Sequence, residues 1–124
     1  MINIIYEDNH LLIVEKPVNI PVQEDNSKDL DFLTMLKKYI KKRDNKPGNV
    51  YLGLVHRLDR MTSGVMVFAK TSKAAMRLSN DIATHNFFKE YICVCEGNIE
   101  NFEETTLVDY LEKDEKLNKS FISP

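Results

Sequence analysis

Within six residues the chain places His56, Arg57, Asp59 and Arg60, and it then runs directly into the apolar stretch "GVMVFAK". An aspartate flanked by two arginines is held ionised with a depressed pKa, which suits a nucleophile or an electrostatic stabiliser better than a general acid. The same arginines can grip phosphate, or they can close a salt bridge onto Asp59 in a purely structural loop. Leu58 can anchor the loop inward, and Thr62, Ser63 and Gly64 supply a tight return. His56 beside an apolar strand orients the loop or touches a ligand. Read as a hydrolase triad, Ser63, His56 and Asp59 crowd into one loop with none of the glycines of a nucleophile elbow, which makes that chemistry remote.

Elements on either side must hold this loop. "INIIYEDNHLLIVEK" reads as two strands, 2–6 and 10–15, turned by Glu7, Asp8 and Asn9. Pro17 and Pro21 end the second strand in an irregular segment, where Asn19 tolerates a left-handed backbone. Leu30, Leu33, Leu36 and Ile40 recur at helical spacing, with Ser27 as the expected cap. "VYLGLV" and "GVMVFAK" read as strands that enclose the polar loop. Ser72 is expected to cap a helix reaching about His85, with Ala75, Leu78 and Ile82 turned inward. "KEYICVCEG" reads as a further strand carrying Cys93 and Cys95 on one face. With no second cysteine pair to complete a zinc site, two buried reduced thiols are expected, and no metal. These elements predict an α+β fold: a mixed, mostly antiparallel sheet with two helices packed on it and Asp59 at the mouth of a cleft between two strands.

Composition sets the outer bounds. The chain has 124 residues with 43% hydrophobic content, enough for one core. No apolar run approaches the roughly 18 residues of a membrane span, and the start lacks the pattern of a secretory signal, so a cytoplasmic protein without a membrane partner is expected. The net charge of −2 conceals a segregation. From Glu96 onward there are eight acidic residues and three lysines. Removing these from the chain's 19 acidic and 17 basic residues leaves 11 and 14, a net +3 over residues 1–95. The densest basic run is "KKYIKKRDNK", which can meet phosphates by counterion release or simply form a solvated, lysine-rich helix end.

"HRLDRMTSG" resembles the nucleophile motif of the RluA-type pseudouridine synthases, in which HRLD is followed by two variable residues and TSG. "YEDNHLLIVEKP" is similar to that family's opening hairpin ending in Lys-Pro, here Lys16-Pro17, and "KEY" is similar to its Lys-x-Tyr strand. The resemblance implies isomerisation of uridine in structured ribosomal or transfer RNA, with no metal and no cofactor. It implies that Asp59 is the catalytic nucleophile, attacking the sugar C1′ or the base C6. It implies that Arg57, with His56 and Arg60 beside it, contacts RNA, and that Tyr91 packs on the base and serves proton transfer. Nothing in the chain matches the family's later Arg-Thr-His-Gln-Ile-Arg segment, so residues 1–124 correspond to the N-terminal portion of the catalytic domain, with an acidic segment from about 96 onward. A truncated chain is expected to be inactive alone and to self-associate through the surface left open. The alternative is a catalytically idle module that binds RNA.

Overall fold

The computed structural model describes residues 2–98, 104, 106, 108–117 and 119–123. The chain divides into two units, Met1–Lys89 and Glu90–Pro124. The first is α+β. Its strands are β1 (Asn3–Glu7), β2 (Leu11–Lys16), β3 (Gly53–Leu54) and β4 (Gly64–Ala69), and its helices are α1 (Phe32–Arg43) and α2 (Ser72–Ala83). The strands lie in the order β1-β2-β4-β3, and every described pair is antiparallel.

Alternation along the two central strands decides where the helices go. Leu12 lies opposite Phe68 and Val14 opposite Met66, and all four are buried on one face. There Phe32 of α1 meets Phe68 edge to face at 6.1 Å, and Leu36 and Ile40 complete the cluster. Ala69 points to the opposite face. A side chain at Gly53, its strand partner, would come within 3.0 Å of the Ala75 Cβ on α2, so a glycine there lets the helix approach closely. The two helices therefore pack on opposite faces of one sheet.

Local chemistry corrects several expected boundaries. The cap of α1 is Asp31, whose Oδ1 accepts the Thr34 N–H at 2.9 Å. Ser27 is instead captured by Asp25, which accepts both its backbone N–H and its hydroxyl, and Lys28 follows at φ 60, which breaks any helix there. Thr71, one residue before Ser72, caps α2 by accepting the Ala74 N–H. Asn19 adopts φ 63, as its tolerance of the left-handed region allows.

In the second unit, residues 91–95 form no strand, and Cys93 and Cys95 are exposed rather than buried, their Sγ atoms 3.6 Å apart. The alternation of 91–95 has no paired neighbour among the described residues, and a strand is defined by its partner. The acidic segment holds a hairpin of β5 (Leu111–Asp114) and β6 (Lys119–Ile122). Its turn is made by Asp114, which accepts the N–H groups of Lys116 and Leu117. Glu100 and Glu103 of that segment lie outside the described residues. Among the described residues no helix is long and apolar enough to cross a membrane.

Charge closes the far end of the first unit. Glu7 receives Arg43 from the end of α1 and Lys70 from the end of β4, the latter at 2.7 Å. The Arg43 hydrogen bond, with Lys70 adding to it, holds the Glu7 carboxyl down to about 2. Arg43 is thus a structural cation, while Lys41 and Lys42 beside it are exposed and complement the helix dipole. A depressed carboxyl contributes stability that is complete above its unfolded value of 4.5 and is lost as pH falls towards about 2. Glu7→Gln is therefore expected to lower stability near neutral pH by roughly 1–3 kcal/mol and to flatten the acid limb of a urea-denaturation series. An acid limb unchanged in the variant would remove Glu7 from this role.

Candidate active site

The loop carrying Asp59 joins β3 to β4 and is fixed from beneath by one side chain. Lys16, the last residue of β2, is wholly buried on the same face as Leu12 and Val14. Its Nζ donates to the carbonyls of Pro17 at 3.0 Å, Arg60 at 3.2 Å and Thr62 at 2.8 Å. Three donors meet three acceptors, so the ammonium is fully satisfied without a carboxylate in hydrogen-bond contact. Burial pushes the Lys16 pKa down, and the negative charge of Asp59 pushes it back up. The Thr62 N–H closes a turn onto the Asp59 carbonyl at 3.0 Å. Gly64 leaves the loop at φ 140, a backbone conformation that requires glycine, and Leu58 packs against the core. Ser63 is exposed, and among the described residues its hydroxyl makes no hydrogen bond, so Thr62 and Gly64 shape the return without it.

Asp59 stands at the surface of an open cleft of about 520 Å³. One wall is the loop itself, and the other is residues 21–25. That second wall is sewn to the start of α1: the N–H groups of Phe32 and Leu33 donate to the carbonyls of Pro21 and Val22 at 2.8 and 3.0 Å. Two of the orphan donors of the helix thereby fix the cleft, Asp31 satisfies the Thr34 N–H through its side chain, and its carbonyl accepts the Met35 N–H as the first helical bond.

Of the two roles open to the flanking arginines, the salt bridge onto Asp59 is not the one they take. Among the described residues neither forms an ion pair with Asp59. Arg60 turns away, with its Nη2 2.7 Å from Asp29 Oδ2, its Nε donating to Asn19 Oδ1 and one Nη donating to Ser27 Oγ. Arg57 is exposed beside the cleft and, among the described residues, has no ion-pair partner. His56 is half-buried; its Nε2 accepts the Val67 N–H at 3.1 Å, which assigns the proton to Nδ1, and its ring meets Phe87 at 5.5 Å. Burial first, and the Lys89 charge second, push its pKa down, so the imidazole is neutral at pH 7. Lys89 also lines the cleft.

The first unit thus gathers His56, Arg57, Leu58, Asp59 and Arg60 around one cleft, and the arrangement offers a solvent-reachable carboxylate on a rigid loop with free cationic charge at its rim. Such a site can deliver a nucleophile to an anionic polymer. Tyr91 is exposed and belongs to the second unit. Among the described residues no group of three or more His, Cys, Asp and Glu side chains is placed to hold a metal ion. The residue that spacing alone missed is Lys16. Its signal was present as a charged residue in step with Leu12 and Val14 on a buried strand face.

The family model described as RNA pseudouridylate synthase matches residues 10–123. The large-subunit pseudouridine synthase C of Buchnera aphidicola from Schizaphis graminum is 37% identical over 95 residues, covering 77% of this chain and 28% of that protein. Its counterpart from Baizongia pistaciae is 30% identical over 119 residues, covering 96% and 36%. The solved human RNA pseudouridylate synthase domain containing 4 superposes with a TM-score of 0.58 at 28% identity, over 68% of this chain and 30% of that one. The chain spans about three-tenths of the length of the first of these curated relatives.

The geometry makes Lys16 the keystone of the site. Lys16→Met keeps the apolar stem but leaves the carbonyls of Pro17, Arg60 and Thr62 without their donor, and the expected loss is roughly 1–3 kcal/mol in thermal or urea unfolding. Amide exchange at Thr62 should rise in the same variant. An unaltered Thr62 amide would show that the loop holds its shape without the lysine.

Proposed function

The chain belongs to the RNA pseudouridylate synthase family, and from that premise we propose that it is part of an enzyme that isomerises uridine to pseudouridine in structured ribosomal or transfer RNA in the cytoplasm. Asp59 is the nucleophile. The observation that carries this reading is the placement at a cleft of an exposed carboxylate that forms no ion pair among the described residues, on a loop whose backbone the buried Lys16 holds at Arg60 and Thr62.

The reaction breaks the bond from uracil N1 to the ribose C1′ and makes one from C5 to C1′. N1 gains a proton and C5 loses one, so atoms and electrons balance without a redox partner. Asp59 holds the intermediate covalently, through C1′ or through C6 of the base, while the uracil turns. Taking a nucleotide out of its stack costs a few kcal/mol, which contacts from the free Arg57 guanidinium offset. His56, neutral and tied to the strand by Val67, keeps the loop in register at the edge of the cleft. Tyr91 supplies the proton-transfer group of the completed site. Because preorganisation supplies most of the rate, the remaining walls of the site are required as well, and the 124-residue chain is inactive by itself.

A catalytically idle RNA-binding module is the second reading, favoured by the exposed Arg57 at the cleft, which can hold RNA without any chemistry. One experiment separates the two. Tritium release from uridine-labelled RNA is expected to be undetectable with the 124-residue chain and to appear when the chain is joined to the downstream half of a relative. In that longer protein Asp59→Asn should abolish turnover with RNA affinity within a few fold, and Arg57→Ala should weaken both. Turnover that survives Asp59→Asn would show that the nucleophile lies elsewhere. Light scattering on the 124-residue chain is expected to give a dimer or larger species, since Ile92 and Val94 are fully exposed; a clean monomer would argue against self-association.

A further inference from the structure

Arg60 follows the nucleophile directly, yet its guanidinium is spent inside the molecule. Nε donates to Asn19 Oδ1 at 3.0 Å, one Nη to Ser27 Oγ at 3.3 Å, and the other lies 2.7 Å from Asp29 Oδ2. Its carbonyl accepts the Asn19 N–H at 2.8 Å and one donor of Lys16. Ser27 relays the contact, since its hydroxyl also donates to Asp25, a residue of the cleft wall. A planar fork with donors on three nitrogens can serve three partners at once, whereas an ammonium at that point could not reach all of them in the same geometry.

The segment so captured, residues 19–29, contains the wall that faces Asp59. Its N-terminal part is sewn to α1 through Pro21 and Val22. Between 23 and 29 the described hydrogen bonds are local turns around Asp25 and Ser27, so Arg60 is the tie from that stretch to the nucleophile loop. We propose that Arg60 is a positioning residue: it latches residues 19–29 to the Asp59 loop and thereby sets the width of the cleft, and it does not contact the RNA. The inference rests on the reading of the Asp59 cleft as the RNA site.

Hydrogen exchange on the 124-residue chain tests the latch without any need for turnover. Arg60→Ala and Asp29→Asn are each expected to raise exchange of the amides in 19–29 by about tenfold, the two together little more than either alone. Arg57→Ala should leave those amides unchanged. The exchanged pair, Arg60→Asp with Asp29→Arg, should recover at least part of the protection, and far-UV circular dichroism through a thermal melt confirms that each variant is folded. Binding to a uridine-containing RNA hairpin across a salt series supplies the second readout. Loss of a phosphate contact lowers the slope of log affinity against log salt by about one, which is expected for Arg57→Ala and not for Arg60→Ala. Unchanged protection in Arg60→Ala overturns the latch, and a slope reduced by about one in that variant makes Arg60 an RNA contact. Either result stands whether or not the longer protein makes pseudouridine, so a failure of the latch is distinct from a failure of the proposed activity.

Discussion

A single buried ammonium organises the candidate site. Lys16 ends a strand whose other inward residues, Leu12 and Val14, are apolar, and its charge is accommodated because three carbonyls of adjoining loops turn toward it. An unpaired charge in that position would be expensive, so the loop conformation and the lysine depend on each other. Two of those carbonyls belong to residues on the far side of Asp59, so the β2 strand and the Asp59 loop are joined at one point. The Asp59 loop needs no secondary structure of its own to be rigid.

The cleft opposite Asp59 is built on the same economy. The first turn of α1 has donors that no helical carbonyl can satisfy, and two of them hold Pro21 and Val22 in place. Asp31 completes the cap, and the apolar side of the helix then descends onto Phe68 and its neighbours. A wall of irregular backbone is thereby attached to the core through hydrogen bonds that the helix had to make in any case. Arg57 and Asp59 remain exposed at the rim and, among the described residues, form no ion pair.

Much of this was legible before any coordinates. The hairpin, both helices and the polar loop between strands follow from alternation, helical spacing and turn residues, and the resemblance around "HRLDRMTSG" picked out the loop that the fold brings to the cleft. Spacing failed where a tertiary partner decides. Asp59 between two arginines leaves a salt bridge and a phosphate grip equally open along the chain, and Arg60 finds Asn19, Ser27 and Asp29, residues more than thirty positions away. Ser27 is a good capping residue by type, yet Asp25 binds it first and Asp31 starts the helix. Lys16 was noticed as part of a motif, whereas its function depends on carbonyls whose location no pattern of side chains records. Alternation at 91–95 suggested a buried strand, but alternation specifies a face and cannot supply the neighbour that covers it.

The central claim is that the rigid loop around Asp59 and the wall facing it form the surface presented to RNA. Photo-crosslinking of the 124-residue chain to an RNA hairpin carrying 4-thiouridine, followed by peptide mapping, tests it most directly. The account predicts crosslinks in residues 55–63 and 21–25. Crosslinks confined to the basic run at 37–46, with none at the cleft, would contradict it.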